Sequence, residues 1–287
     1  MSHRMAIVTT VAVSLLMAVA TGPLCAAQQV PATKDKPAKK SLPLDGETFT
    51  VAGCEAFLIP PRGSTSEGST PWVWYAPTLP GLPSDAERWM FERFTAAGIA
   101  VAGIDVGESY GSPDGRAKYT ALYDTLVNKR ALSPKPVLLG RSRGGLMLFC
   151  WACENAHKVG GIAGIYPVCD IRSYPGIEKA AAAYQMTADE LQSQLSRHNP
   201  PDRLEGLALA KVPLFAIHGD VDTVVPLEDN SGLLATRYAA LSGKMELVVP
   251  KGQGHNMWPG FFECQELVAF VVRCARVEER QPGPDRP

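Results

Sequence analysis

Apolar positions along the chain fall into short continuous runs, separated by stretches in which they recur at helical spacing. The runs at 72–76, 99–104, 137–139, 159–166, 212–217 and 245–249 read as buried strands, and 47–52 with 55–59 read as an initial strand pair. Between them, 85–97 carries Trp89, Met90, Phe91 and Phe94 on one helical face, and 113–129 does the same with Tyr119, Leu122, Tyr123 and Leu126. The stretch from Leu146 to Trp151 is apolar nearly all round, which predicts a buried helix; further helices are expected at 231–241 and 262–276. Strands alternating with helices predict a mostly parallel sheet covered on both faces. Ligands on such a sheet bind outside the carboxyl ends of the strands. Residues 167–208 break the alternation, with a helix expected around 188–196. A long irregular segment between two core strands is expected to be a lid-like insertion, turning Tyr174, Tyr184, Met186 and Leu191 toward a substrate.

The ends of the chain carry a different pattern. Arg4 precedes an apolar stretch from Met5 to Ala20 and a small-residue segment, so residues 1–27 read as a secretory signal peptide, and the protein as secreted or periplasmic. Residues 28–46, rich in Pro, Lys and Ala, read as a flexible leader, and 277–287 as a polar tail. The folded domain is expected over 47–276. The whole 287-residue chain is 46% hydrophobic with a formal net charge of -1, a globular composition that argues against nucleic acid as the main partner. No stable membrane insertion is expected after signal cleavage. Export would permit disulfides among Cys54, Cys150, Cys153, Cys169, Cys264 and Cys274, although the spacing names no pairs. Cys150 and Cys153 share one predicted helix, without the second ligand pair that a zinc site requires.

The chemistry concentrates at Gly140-Arg141-Ser142-Arg143-Gly144, where a strand run stops and the buried helix starts. A Gly-x-Ser-x-Gly between strand and helix makes a nucleophile elbow, with the serine in a strained turn and its hydroxyl exposed. A serine hydroxyl is a weak nucleophile and needs a base in contact, itself oriented by a third group. Of the five histidines, His3 lies in the signal segment, His157 ends a helix, His198 lies in the insertion and His218 closes a strand. His255 sits in Gly252-Gln253-Gly254-His255, a loop position suited to a base. For the acid, Asp222 follows the serine and precedes the histidine; Asp220 and, more distantly, Asp170 are alternatives.

The motifs at 140–144, His218-Gly219-x-x-Asp222-x-x-Val225-Pro226 and Gly254-His255 together resemble the α/β-hydrolase superfamily over roughly residues 47–276. The resemblance implies Ser142 as nucleophile, Asp222 as acid and His255 as base, with no metal or organic cofactor. It places one oxyanion donor on the Arg143 N–H and the other on the loop after the 72–76 strand, where Pro77 has no N–H and Thr78 takes the position. That loop reads Tyr75-Ala76-Pro77-Thr78, a departure from the His-Gly common in these enzymes. Arg141 and Arg143 fit structural ion pairs or, alternatively, an anionic or sugar-acid substrate. A Ser-Arg pair at the elbow is similar to that of glucuronoyl esterases. Arg141, Tyr110 and Trp258 are candidate substrate contacts, and Trp72 and Trp74 are further members of a possible sugar-stacking platform. The implied activity is cleavage of carboxylic esters, of small molecules or of plant polysaccharide. The alternatives are a peptidase resembling the prolyl-oligopeptidase catalytic domain, or a non-catalytic binding protein on this fold.

Overall fold

The computed structural model describes residues 40–63 and 68–276. The expected signal peptide and polar tail lie outside the described residues. The strands are β1 (Glu47–Val51), β2 (Cys54–Ile59), β3 (Trp72–Ala76), β4 (Ala100–Ile104), β5 (Val137–Arg141), β6 (Gly161–Ile165), β7 (Leu214–Ile217) and β8 (Met245–Val248). Among the described residues they form one sheet in the order β1-β2-β4-β3-β5-β6-β7-β8, antiparallel at β1, β2 and β4 and parallel from β4 onward. Helices α1 (Arg88–Ala96), α2 (Pro113–Arg130) and α3 (Arg143–Glu154) lie along the first half. Short helices α4 (Ile177–Ala181), α5 (Ala188–Ser193) and α6 (Glu205–Leu209) follow. Then come α7 (Leu233–Ala240), α8 (Pro259–Phe262) and α9 (Gln265–Ala275). This is the α/β-hydrolase fold.

Strand periodicity explains the two cores. On β3, Trp72, Trp74 and Ala76 enter one apolar cluster while Val73 and Tyr75 enter the other, because successive side chains point to opposite faces. The first cluster takes Tyr119, Leu122 and Leu126 of α2, Met147, Leu148 and Trp151 of α3, and Leu234 and Tyr238 of α7. The second takes Met90, Phe91 and Phe94 of α1 and Leu267, Phe270 and Val271 of α9. The start of α2 shows why a helix forms there: Ser112 caps the Gly115 N–H, Pro113 stands at the first position, and Lys129 and Arg130 close the last turn.

Several expectations change. Trp72 and Trp74 stack at 5.3 Å in the core, and Trp74 also meets Trp151 at 4.8 Å, so neither borders a substrate surface. The six described cysteines are all free thiols, none paired. Residues 40–46 are not a free leader: Leu42 and Leu44 pack against the second cluster, and a Cβ at Gly46 would meet the Leu58 carbonyl oxygen at 2.8 Å. No described helix is long and apolar enough to cross a membrane.

The segment 167–208 follows β6, and its apolar side chains turn inward. Ala180, Tyr184, Leu191 and Leu195 form a third apolar cluster with Tyr110, with Leu146 and Cys150 of α3, and with Val225. Tyr184 donates to the Tyr110 carbonyl at 3.0 Å. Burial on α3 is the more favourable fate for these apolar groups than exposure to an open cleft, so Tyr184 and Leu191 do not face a substrate.

Candidate active site

Ser142 stands between β5 and α3 at φ 50° and ψ −126°, outside the usual regions for a residue with a side chain. The surrounding glycines hold it there. A Cβ at Gly144 would lie 2.1 Å from the Ala76 carbonyl oxygen, one at Gly140 2.6 Å from the Gly145 Cα, and one at Gly145 2.5 Å from the Pro167 Cβ. The elbow is therefore clamped between β3, β5 and the segment after β6. Two backbone bonds tie it further: the Ser142 N–H donates to the Ile165 carbonyl at 3.0 Å, and the Val168 N–H donates to the Ser142 carbonyl at 2.8 Å.

The three motifs meet at this point. Ser142 Oγ lies 2.9 Å from His255 Nε2, and His255 Nδ1 lies 2.8 Å from Asp222 Oδ2. The other carboxylate oxygen, Oδ1, accepts the Val224 and Val225 N–H groups at 2.9 and 2.8 Å. Asp222 is buried, so its charge acts in a medium of low dielectric. Asp220 is exposed and accepts instead from the Gly252 N–H at 2.6 Å, closing the neighbouring turn. Asp170 is held by Arg172 and does not reach His255. His218 is fully buried, with Nδ1 2.8 Å from Ser231 Oγ and Nε2 donating to the Val225 carbonyl at 2.8 Å. Burial pushes its imidazole below the ordinary histidine range, so it remains neutral and braces the Asp222 loop.

A cleft of about 220 Å³ opens on Ser142, lined by Pro77, Leu82, Arg141, Arg143, Tyr166, His255, Asn256 and Met257. The residue contacts differ from those the sequence suggested. Arg141 lines the cleft but donates to Glu87 Oε1 at 2.7 Å behind it, and Glu87 is completely buried. Glu87 also accepts from the Tyr75 hydroxyl at 2.9 Å and from the Ser84 N–H at 2.8 Å. The remaining face of Arg141 donates to the Met257 sulfur at 2.9 Å. Arg143 pairs with Glu108 at 3.1 Å. Tyr110 is buried in the third apolar cluster and does not line the cleft. Trp258 is exposed, edge-on to Phe261 at 5.3 Å, and does not line the cleft. None of residues 167–208 lines it either.

Thr78 is buried, and its side chain packs toward Gly103 rather than into the cleft, where Pro77 stands instead. Among the described residues, no acceptor takes the Thr78 N–H. Tyr166 is the contact that sequence reasoning missed. It ends β6 at φ 34°, its ring centroid lies 4.4 Å from that of His255, and it lines the cleft. Glu87 was missed too, although Ser84-x-x-Glu87 carries the pattern of a capping box, which the structure contains. No group of three or more His, Cys, Asp or Glu is placed to hold a metal among the described residues.

This arrangement can pass a proton from Ser142 Oγ to His255 Nε2 while Asp222 fixes the imidazole and stabilises its charge, the geometry needed for acyl transfer.

Solved structures of similar fold include a puromycin-hydrolysing peptidase of Mycobacterium tuberculosis, with TM-score 0.62 and 17% identity over 80% of this chain and 39% of that one. The dipeptidyl peptidase 4 of Porphyromonas gingivalis gives TM-score 0.64 and 15% identity over 80% of this chain and 35% of that one. MPT51 of Mycobacterium tuberculosis gives TM-score 0.62 and 14% identity over 81% of this chain and the whole of that one. The chain thus spans well under half the length of the two peptidases, and at these identities the likeness is one of fold. No curated protein matches the chain in sequence. The model of the prolyl oligopeptidase family matches residues 119–276. Since that match covers more than half of the sequence and takes in the Ser142, Asp222 and His255 segments alike, this α/β-hydrolase belongs to the prolyl oligopeptidase family.

Proposed function

We propose that this serine hydrolase cleaves amide bonds of short, uncharged peptide-like substrates, with Ser142 as nucleophile, His255 as base and Asp222 as the acid that orients it. The observation that carries the reading is the unbroken chain of contacts, 2.9 Å from Ser142 to His255 and 2.8 Å from His255 to Asp222. His255 Nε2 takes the Ser142 proton as Oγ attacks the carbonyl carbon. The Arg143 and Thr78 N–H groups receive the developing oxyanion. The same nitrogen then returns the proton to the leaving amine, and water releases the acyl group by the reverse sequence.

Amides come first because the family is one of oligopeptidases and two similar folds are peptidases by name. Carboxylic esters, the class expected from the sequence, are open to the same acyl-enzyme chemistry and are the second reading. A polysaccharide carrier loses its support, since Trp72, Trp74 and Tyr110 are buried and form no platform. Charge argues for neutral acyl groups. Both arginines beside Ser142 already face carboxylates, Arg141 with Glu87 and Arg143 with Glu108, and Asp222 adds a further negative charge. A substrate carboxylate would enter a site with no cation left unpaired, at a desolvation cost. Export through residues 1–27 belongs to the same proposal and rests on their basic start and apolar core.

The test is a fluorophosphonate probe followed by a substrate series. Labelling of Ser142 is expected, as is turnover of N-acetylated aminoacyl arylamides and of short p-nitrophenyl esters. A glutarate half-ester of the same length should be slower by about tenfold or more, the cost of one uncompensated charge contact. A half-ester that proved the fastest substrate would overturn the neutral-substrate reading. Unlabelled, inactive but folded protein would leave the binding-protein alternative.

A further inference from the structure

The loop between β3 and α1 carries Pro77 and Leu82 into the cleft and, on the reading above, supplies the Thr78 N–H to the oxyanion. Its second half is held by the Ser84–Glu87 capping box, and the first half, 77–83, has few bonds of its own. Within 77–83 the internal backbone bond is the Leu82 N–H to the Leu79 carbonyl, at 2.9 Å. What gathers it is a side chain nearly forty residues earlier. Lys40 Nζ donates to the carbonyls of Thr78 at 2.7 Å, Leu82 at 3.0 Å and Leu79 at 3.3 Å. An ammonium has three hydrogens and no acceptor, so here all three find carbonyl oxygens from one turn. Charge-assisted bonds of this kind are roughly twice as strong as neutral ones. The lysine itself is anchored: Leu42 and Leu44 just after it pack on the second core cluster, and Gly46 passes against Leu58 and Ile59.

We infer that Lys40 is a positioning residue for the oxyanion-hole loop, setting the backbone of Thr78 through Leu82 from outside the cleft. It touches no reacting atom. Its bond to the Thr78 carbonyl fixes the peptide plane that leaves the Thr78 Cα, and this plane adjoins the one that carries the Thr78 N–H, while the bonds to Leu79 and Leu82 hold the rest of the turn. Burial lowers the affinity of Lys40 for its proton, and the nearby Asp105 and Glu55 oppose that shift. The segment 40–46 thereby becomes part of the active-site support. The inference rests on the triad and oxyanion roles proposed in the preceding section.

The test compares Lys40→Met, Lys40→Gln and Lys40→Arg in the full chain. The readouts are kcat, KM and the inhibition constant of a peptidyl trifluoromethyl ketone, whose adduct presents an oxyanion. In Lys40→Met, kcat should fall about 10- to 100-fold with KM little changed, less than the roughly 10²–10³ for complete removal of one donor, and ketone affinity should weaken by the same factor. Lys40→Arg should recover most of both. A folded Lys40→Met with unaltered kcat and ketone affinity overturns the inference. So does failure of both Lys40→Met and Lys40→Gln to fold, which would make the lysine a plain structural anchor. Wild-type protein that takes no fluorophosphonate overturns the active-site reading and this inference with it, whereas a labelled wild type beside an indifferent Lys40→Met overturns this inference alone.

Discussion

Replacement of Ser142 by alanine is expected to lower kcat by at least about 10³, some 4 kcal/mol of transition-state stabilisation, while leaving the fold intact. The fold should survive because the elbow is held by its backbone and its glycines, and not by the hydroxyl. Gly144 lies against the Ala76 carbonyl, and the Ser142 N–H and carbonyl are bonded to Ile165 and Val168. Only the Oγ contact to His255 is lost. Activity should fall far because triad members act as a unit: without the nucleophile, the base has no proton to accept. The measurement is steady-state turnover of an N-acetylated aminoacyl arylamide by variant protein with a wild-type circular dichroism spectrum. Near-normal turnover by such protein would remove Ser142 from the mechanism, and retained fluorophosphonate labelling would identify another serine.

The second large effect separates two neighbouring carboxylates. Asp222→Asn is expected to cost on the order of 10⁴ in kcat, because an amide facing His255 Nδ1 favours the wrong tautomer of the imidazole. Its Oδ1 position, which accepts the Val224 and Val225 N–H groups, is kept by the amide oxygen, so the loop should stay in place. Asp220→Asn should cost little activity. Asp220 is exposed, and its contact is the Gly252 N–H, which an asparagine oxygen also accepts. Parallel kcat determinations on the two variants decide the matter. A larger loss in Asp220→Asn would move the acid to the first position and leave the 2.8 Å contact at Asp222 without a catalytic meaning.

The parts of this molecule that were legible in the sequence are those where local geometry forces residue identity. Gly140, Gly144 and Gly145 are dictated by backbone atoms that leave no room for a Cβ. The β3 alternation of Trp72 and Trp74 against Val73 and Tyr75 follows from a strand buried on both faces. Chain order and loop position then sufficed to bring Asp222 and His255 to Ser142. What stayed hidden depends on pairings across long separations. Arg141 meets Glu87 across 54 positions, so an arginine beside the nucleophile reads as a substrate contact until its partner is seen. Lys40 lies at the edge of a Pro- and Lys-rich stretch, and composition alone cannot mark one lysine among several as the cap of a distant loop. Tyr166 sits where a strand ends, and the turn at φ 34° that lays its ring on His255 leaves no periodic trace. The insertion misled for another reason: Tyr184 and Leu191 show the same apolar signature whether they face a substrate or, as here, α3.

The position of β8 has a consequence for how this site fails. The strand ends the sheet and pairs with β7 alone, and its residues are partly or fully exposed. Ser142 rises from β5 in the middle, whereas Asp222 and His255 follow β7 and β8. Their loops are laced to each other by the Val221 N–H to the Gln253 carbonyl, at 3.1 Å, and by Asp220 to the Gly252 N–H. Regions with few buried contacts open at lower free energy than the core. Opening of the β8 margin would carry His255 away as one cooperative unit and leave the nucleophile standing in an intact sheet. Native-state hydrogen exchange should therefore find the β8 amides opening well before those of β3 and β5, and on warming the enzyme should lose turnover while its far-ultraviolet dichroism still reports a folded chain. Uniform protection across β3, β5 and β8 would mean that the active site and the core melt together.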